Sequence, residues 1–532
     1  MNDRLEIAIP RDTGNVSALD ASTKTLTVFA DGTTRPHARD PRLIYAGAHE
    51  QARALAGGEV SAEALLEQIL ARIDRLDPTL NAVVFIDEAG ARAAAKAADT
   101  ALQQGVRLPL LGVPVTVKES FDVEGWPTTV GDVRYQDNLA VQDAPAVAAL
   151  RAAGAILIGK TNVPLGLADL QSFDEIYGLT RNPWDLSRTP GGSSGGSATA
   201  LAAGFSSLEL GTDIGGSIRI PAHFTGVFGH KPSQGLIALR GTGVPQGRHT
   251  TRDLVVAGPL ARTAADLELA LDLLVNQDPV EKKAWRVSLP PARHAKLADF
   301  RVLLLAQWPG TDASISEQEV IKRTARNLRA RHVTVFTPET LARAAPDAVL
   351  PDLVAAHALY RGLLGASLAS PPPLDASAAA RLAALADNDA SADATWLRSF
   401  SISHRDWLLQ HEARLALRAQ WEKLFNHIDV VLTPVAPLPA FAHNAASEKD
   451  ARRFPVSYED GERELYFREL FHWAGLPVVP GLPATSFPVG LDASGLPIGA
   501  QVVGAYLEDR TPLAFARVYE AAFGGFIPPS GY

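Results

Sequence analysis

The chain has 532 residues, of which 46% are hydrophobic and 20% are charged, and its formal net charge at pH 7 is −9. A chain of this length and composition buries a large core, and its negative charge disfavours nucleic acid and anionic membranes as partners. No apolar run approaches the roughly 18 residues of a membrane span and no secretory signal pattern is visible, so the expected location is the cytoplasm.

Helices and strands are predicted to alternate in the first part of the chain. Residues 1–40 form an extension, with a strand over 25–30 and a turn at Asp31-Gly32. Ser61 is a typical N-cap residue for a helix that closes at Asp77-Pro78. The buried face of this helix comprises Leu65, Leu66, Ile69, Leu70 and Ile73. Buried strands are expected over 82–85 and 155–158, an alternation typical of α/β layers.

Lys118 directly follows a short apolar strand predicted over residues 111–117. Burial disfavours the ammonium form, so a pKa lowered from about 10.4 toward neutrality leaves the amine able to accept a proton. Taken alone, Lys118 is better explained as a strand-end lysine paired with Glu119 or Asp122. The glycine and serine blocks that follow it favour a catalytic role instead.

Two glycine-rich blocks carry the strongest chemical signal. Residues 191–197 are Gly-Gly-Ser-Ser-Gly-Gly-Ser, and residues 211–219 are Gly-Thr-Asp-Ile-Gly-Gly-Ser-Ile-Arg. Ser193 and Ser217 each adjoin a Gly-Gly pair, where main-chain N–H groups converge on a small anion such as a developing oxyanion. Small helix-forming residues at 198–203 favour a packed helix over a linker, and neither block has nucleotide-binding spacing. The pattern indicates serine acyl-transfer chemistry without a histidine base.

Residues 280–425 contain fewer motifs that indicate structure or function. An alanine-rich stretch to Thr395 follows three prolines at 371–373. A helix is then predicted over 406–425, packing either in the core or as part of an acyl-pocket wall. Its apolar residues are Leu408, Leu415, Leu417, Trp421 and Leu424.

Taken together, these motifs resemble the amidase signature family. The matching segments are residues 112–118, 181–184, 190–197, 211–222, 229–232, 258–262, 481–484 and 495–501. The resemblance covers roughly residues 45–275 and 425–525. It implies one large α/β/α domain over 41–532, with a central mixed, twisted β-sheet flanked by helices. Residues 280–425 lie outside the matching segments and are expected to shape the substrate site.

The resemblance also implies roles for individual residues. Ser217 is expected to be the nucleophile, Ser193 the bridging serine after a cis peptide bond from Gly192, and Lys118 the terminal base. The expected oxyanion donors are the N–H groups of Ile214, Gly215, Gly216 and Ser217. Supporting positions are Asp213, Arg219 and Ser194, although Asp213 and Arg219 also fit a local salt bridge. Residues expected near the acyl part of the substrate are Leu167, Asp169 and Gln171.

The predicted function is that of an amidase, which converts a small carboxylic acid amide to the acid and ammonia or an amine through an acyl-enzyme. A homodimer is the expected assembly, and no metal or cofactor is expected. Cysteine is absent, and His223 and His230 are interpreted as packing or hydrogen-bonding residues because the family works without histidine. His472 stands where many relatives carry asparagine, which predicts altered pocket chemistry. Two alternatives are the ammonia-generating component of a glutamine-dependent amidotransferase, known as its A subunit, and a non-hydrolytic binding protein.

Overall fold

The computed structural model describes residues 41–243, 250–369, 376–386, 388–389, 391–444, 446 and 452–532, together with three short strands before residue 41. These strands form a small antiparallel sheet, and Leu26–Val28 lies within the strand predicted over 25–30. The predicted turn at Asp31-Gly32 and the prolines at 371–373 lie outside the described residues.

An eight-stranded mixed sheet is the centre of the described chain. The first three strands in its spatial order are parallel, and the other neighbours are antiparallel. In that order the strands are Thr334–Phe336, Arg301–Leu304, Val430–Pro434, Pro497–Val503, Ala484–Leu491, Phe228–Lys231, Val256–Ala261 and Leu208–Asp213. With helices packed against it, this sheet confirms the predicted α/β class.

A second sheet carries the lysine singled out in the sequence. Its three strands are, in spatial order, Val83–Ile86, Ile156–Thr161 and Pro114–Lys118. The strand Pro114–Lys118 packs against the edge strand Leu208–Asp213 of the large sheet. Lys118 is thereby brought beside the second glycine-rich block, which begins on that edge strand. Shorter strand pairs are Phe173–Asp174 with Gly178–Leu179, and Arg453–Tyr458 with Gly461–Tyr466.

Helices cover the sheets and fill the segments between them. Their bounds are Pro41–Tyr45, Ala48–Ala56, Ala62–Leu80, Glu88–Gln103, Pro145–Ala152, Gly195–Ala202, Arg219–Thr225, Ala264–Leu274, Ile315–Ala330, Pro338–Ala344, Leu353–Leu368, Ala376–Ala383, Ala392–Ser399, His404–Leu424, His472–Gly475 and Arg510–Phe523. Among the residues described, none of these helices has the length and apolarity needed to cross a bilayer.

The helix Ala62–Leu80 shows which local predictions hold. Ser61 caps it, since its Oγ accepts from the N–H of Ala64 at 3.1 Å, and the predicted apolar face is buried. The helix continues past Pro78 to Leu80, so the predicted end at Asp77-Pro78 is wrong. The Asp77 carboxylate accepts hydrogen bonds from the N–H groups of Ala82 and Val83, which follow the helix, at 2.7 and 3.1 Å. Asp77 therefore anchors the following strand rather than ending the helix.

The helix His404–Leu424 matches the prediction over 406–425 within two residues at each end. Leu417, Trp421 and Leu424 are buried, as expected for core residues. Leu408 and Leu415 are 46% and 39% exposed and do not line the cavity described below, so their predicted packing, in the core or in an acyl-pocket wall, is wrong. The buried residues of this helix lie in its carboxyl-terminal half, and the spacing of apolar residues does not reveal which part of a helix other elements cover.

Candidate active site

Lys118 is the last residue of the strand Pro114–Lys118 and is fully buried. Burial removes the water that would stabilise an ammonium ion, and this lowers the pKa of Lys118 to about 7. Asp213, Glu209 and Glu119 act in the opposite direction but do not offset the burial. A substantial fraction of the amine is therefore neutral at physiological pH.

Three hydroxyl groups surround this amine. The Nζ atom of Lys118 lies 2.7 Å from Ser193 Oγ, 2.9 Å from Ser194 Oγ and 2.8 Å from Thr212 Oγ1. A neutral amine has two hydrogens and one lone pair, so with three hydroxyl partners one hydroxyl donates to the nitrogen. The Ser194 hydroxyl donates to the carbonyl oxygen of Thr212 at 3.5 Å. This leaves the hydroxyl groups of Ser193 and Thr212 to donate to Lys118, and Ser193 is the nearer of the two.

The pairing of Lys118 with Glu119 or Asp122 is not what the structure shows. The Glu119 carboxylate accepts from the main-chain N–H groups of Thr129 and Val130. Burial raises the pKa of Glu119 and of Asp122, and the charge of Lys160 opposes this rise at both carboxyl groups. The hydrogen bonds of Lys118 go to hydroxyl groups instead.

Ser193 follows the cis peptide bond Gly192–Ser193, as the resemblance implied. The segment after it forms the fully buried helix Gly195–Ala202, so the predicted packed helix is confirmed and a linker is excluded. Glycine is required at 195 and 196, where an added Cβ would lie 2.4 Å from Ser172 Oγ and 2.3 Å from the main-chain nitrogen of Asn162. This close packing fixes Ser193 next to Lys118.

Ser217 lies on a tight loop after the strand Leu208–Asp213. The main-chain N–H of Ser194 donates to the Ser217 carbonyl oxygen at 3.2 Å, which joins the two glycine-rich blocks. Asp213 shapes the loop, since its carboxylate accepts from the N–H groups of Gly216 and Ile218 at 2.8 and 3.0 Å. The loop therefore has one defined conformation, with Gly216 at a φ of 103° that favours glycine.

Asp213 and Arg219 form a buried ion pair beneath this loop, with both side chains fully buried. Burial acts to raise the pKa of Asp213, but the Arg219 guanidinium and two main-chain donors outweigh it and hold the pKa below its usual range. Arg219 also donates to Gln501 Oε1 and to the carbonyl oxygen of Ala474, both at 2.8 Å. The pair is thus both a local salt bridge and a support for the loop.

A cavity of about 420 Å³ opens above the loop. Ile214, Gly215 and Ser217 line it, and Ser217 is 7% exposed, whereas Ser193 is only 1% exposed and lies outside the lining. Large apolar residues of the wall include Val130, Leu167, Leu170, Leu364, Leu368, Trp396, Phe400, Phe467 and Phe471. Its charged residues are Asp132, Arg134, Asp169, Arg252, Arg361 and Arg468. A ligand in the cavity reaches Ser217 first.

The residues predicted near the acyl part of the substrate divide into three cases. Leu167 lines the cavity. Asp169 also lines it, but its carboxylate pairs with buried Arg452 at 2.6 Å. Gln171 lies away from the cavity lining, because its side-chain amide exchanges two 2.8 Å hydrogen bonds with the main chain of Asn444.

Comparison with known proteins identifies the family. The family model described as Amidase matches residues 64–513. The chain belongs to the amidase signature family. It is an enzyme that acts on amide bonds.

Three relatives illustrate the range of this amidase family. The putative amidase AmiB2 of Mycobacterium tuberculosis is 36% identical over 90% of this chain and 96% of its own length. Fatty-acid amide hydrolase 2-A of Danio rerio is 30% identical over 92% of this chain and 90% of its own length. The A subunit of the Coxiella burnetii glutamyl-tRNA(Gln) amidotransferase is 33% identical over 87% of this chain and 94% of its own length. A solved amidase structure superposes with a TM-score of 0.70 at 30% identity, covering 90% of this chain and all of that one.

The two histidines after Ser217 are structural residues in this amidase, as predicted. His223 lies between the Leu438 carbonyl oxygen, at 3.2 Å, and the Gly499 N–H, at 2.7 Å, and burial lowers its pKa to about 4. His230 contacts Thr485 Oγ1 and Asp509 Oδ1 at 2.9 and 3.2 Å. Both side chains are thus engaged with the surrounding core.

Several residues of the amidase site were missed by sequence reasoning. Thr212 contacts Lys118, and a polar residue directly before Asp213 on a buried strand was the available signal. Gln501 fixes Arg219 and lies in a segment that matched the family without an assigned role. Tyr360, Trp396 and Phe400 come from the divergent region, where no motif marked them.

Removing Arg219 is expected to destabilise the fold. In Arg219→Leu the Asp213 carboxylate remains buried without its partner, which typically costs about 3–5 kcal/mol of unfolding free energy. Arg510→Leu is the control, because Arg510 pairs with Asp272 at the surface, where such pairs contribute about 1 kcal/mol or less. Urea unfolding measures both variants, and equal losses would contradict a special role for the buried pair.

Proposed function

We propose that this amidase cleaves its substrate through a relay of Ser217, Ser193 and Lys118. Neutral Lys118 accepts the proton of Ser193, and Ser193 accepts the proton of Ser217 as Ser217 Oγ attacks the amide carbonyl carbon. The new C–O bond converts the carbonyl oxygen to an oxyanion. The observation that carries this proposal is the 2.7 Å contact between Lys118 Nζ and Ser193 Oγ, buried next to the Ser217 loop.

Main-chain N–H groups of the Ser217 loop are proposed to bind the oxyanion. Ile214, Gly215 and Ser217 line the cavity and are the donors we favour. The N–H of Gly216 donates to Asp213 Oδ1 at 2.8 Å, so its proposed role changes from oxyanion donor to loop support. Losing one oxyanion donor typically lowers the rate by about 100- to 1000-fold.

The tetrahedral intermediate is proposed to collapse with the proton returning through the same groups. Ser193 passes it to the departing nitrogen, so the C–N bond breaks to release ammonia or an amine rather than an amide anion. The remaining acyl group is an ester of Ser217. Water that loses a proton to the relay then attacks this ester, and the acid leaves.

The acyl group of the substrate is proposed to be apolar and bulky. Aromatic and aliphatic side chains form most of the cavity wall around Ser217, and desolvating a charged acyl group there is costly. Leu364, Leu368, Trp396 and Phe400 belong to residues 280–425, which supports the proposal that this divergent region shapes the substrate site. The charged residues of the wall are engaged with partners: Asp169 pairs with Arg452, Asp132 pairs with Arg134, and Arg361 and Arg468 lie over the Trp396 ring at 5.8 and 5.1 Å.

A panel of primary amides tests this substrate class. We expect kcat/KM for hexanamide and benzamide to exceed that for glutamine at least tenfold, since burying charged groups without partners costs more than burying apolar surface. Ammonia release measures all three. In Leu364→Glu a carboxylate enters the wall, and hydrolysis of hexanamide should fall while the fold remains intact. A preference for glutamine would contradict the apolar acyl site.

The glutamine measurement also addresses the amidotransferase alternative. The relative from Coxiella burnetii is 33% identical, so glutamine is the competing substrate to test. That alternative predicts glutaminase activity that depends on partner proteins. Efficient hydrolysis of hexanamide by the chain alone supports an independent amidase.

A further inference from the structure

Tyr360 connects the divergent region to the nucleophile loop. It lies on the helix Leu353–Leu368, is 1% exposed, and contributes to the cavity wall. Its hydroxyl donates to the carbonyl oxygen of Ile214 at 3.1 Å, a contact between residues 146 positions apart. The acceptor is the first residue of the loop that carries Ser217.

This hydrogen bond fixes the orientation of one peptide unit. Gly192–Ser193 is the cis peptide of the described chain, so the bond between Ile214 and Gly215 is trans. In a trans peptide the carbonyl oxygen and the following N–H point in opposite directions within one plane. Holding the oxygen of Ile214 therefore sets the direction of the Gly215 N–H.

The packing leaves Tyr360 little freedom. A Cβ at position 215 would lie 2.5 Å from the Tyr360 hydroxyl oxygen, and one at position 475 would lie 2.7 Å from its Cδ1. Both positions are glycine, which allows the ring to approach the two main-chain segments. Asp213 fixes the next peptide unit through the N–H of Gly216 at 2.8 Å. The loop is thus held from two sides, by Asp213 and by Tyr360.

We propose that Tyr360 is a positioning residue for the oxyanion site, which it serves by orienting the N–H of Gly215. The inference rests on the proposed function, in which this N–H binds the oxyanion. An oriented N–H donor stabilises the negative charge that develops on the oxygen in the transition state more than it stabilises the neutral carbonyl of the bound substrate. Tyr360 accordingly affects kcat more than KM.

Tyr360→Phe removes the hydroxyl and keeps the ring. We expect kcat for benzamide to fall about 10- to 100-fold, less than the full loss of an oxyanion donor, with KM within about 3-fold. Phenylboronic acid, which forms a tetrahedral adduct with an active-site serine, should lose affinity in proportion to kcat, while binding of toluene, which has no oxygen at the oxyanion site, stays unchanged. Tyr506→Phe is the matched control, because the Tyr506 hydroxyl donates to the Gln234 carbonyl oxygen at 3.2 Å.

A second variant moves the ring without removing the hydroxyl. Gly475→Ala places a methyl group against Tyr360 and should lower kcat in the same way, with the melting temperature reporting whether either variant is unfolded. Unchanged kcat in Tyr360→Phe, or equal weakening of toluene and phenylboronic acid binding, would overturn the inference. Ser217→Ala separates the two proposals: if it retains activity the proposed function fails, and if it is inactive while Tyr360→Phe is fully active only this inference fails.

Discussion

Ser217→Ala is expected to abolish amide hydrolysis, with kcat reduced on the order of 10⁵-fold or more, as when other serine nucleophiles are removed. The variant lacks the oxygen that forms the acyl-enzyme, and Ser193 cannot replace it from its position, because Ser193 is only 1% exposed and lies outside the cavity lining. A fluorophosphonate probe should label the native chain and leave Ser217→Ala unlabelled. Peptide mapping of the labelled protein should place the modification on Ser217.

Ser494→Ala is the control for this experiment, because Ser494 lies in an exposed turn with its hydroxyl on Asp492. It should keep both labelling and activity. The Ser217→Ala fold should also be retained, since the loop is held by Asp213 and by the N–H of Ser194 rather than by the Ser217 hydroxyl. Turnover by a folded, unlabelled Ser217→Ala would remove Ser217 from the mechanism.

The sequence was most informative where glycine is required by close packing. Ser193 and Ser217 could be singled out because their Gly-Gly neighbours allow the main chain to approach without side-chain interference, and the structure shows such approaches at Gly195, Gly196 and Gly215. Lys118 taken alone was better explained as a paired strand-end lysine, and the glycine and serine blocks after it were what favoured a catalytic role. Each of these signals is local in the chain.

Long-range contacts could not be predicted in this way. Tyr360 contacts Ile214 across 146 residues, and nothing near Tyr360 in the sequence marks it. Leu408 was expected to pack in the core or in an acyl-pocket wall, but it is 46% exposed and does not line the cavity. The hydrogen bond of Gly216 could not be predicted from the motif either. Its N–H, which the motif suggested as an oxyanion donor, donates to the Asp213 carboxylate.

The neutrality of Lys118 follows from how the nearby carboxylates are used. The two oxygens of Asp213 are bound by Arg219 and by two main-chain donors, and Glu119 accepts from main-chain N–H groups. Burial raises the pKa of Glu209 to about 8, so near neutral pH this carboxyl is largely uncharged. Asp213 stays ionised but is paired with Arg219, and burial outweighs what the nearby carboxylates add to the pKa of Lys118.

Lys118→Ala is expected to lower kcat/KM about 10⁴-fold, at the upper end of what a general base contributes. The pH dependence of kcat/KM in the native enzyme and in this variant is the more specific measurement. The pKa of Lys118 is about 7, so below pH 7 the amine is protonated and cannot accept a proton, and the native rate should fall about tenfold per pH unit. Above pH 7 the amine is neutral and the rate should level off. In Lys118→Ala this acidic limb should disappear.

Lys231 supplies the decisive control for that profile. It is buried like Lys118, and burial lowers its pKa to about 7 as well, but its Nζ donates to the Pro232 carbonyl oxygen and contacts no relay hydroxyl. If Lys118 is the base, Lys231→Met keeps the acidic limb with its midpoint near pH 7. Loss of the limb in Lys231→Met, with its persistence in Lys118→Ala, would assign the titration to Lys231. The pair of variants thus separates a buried lysine that works in the relay from one that only titrates at the same pH.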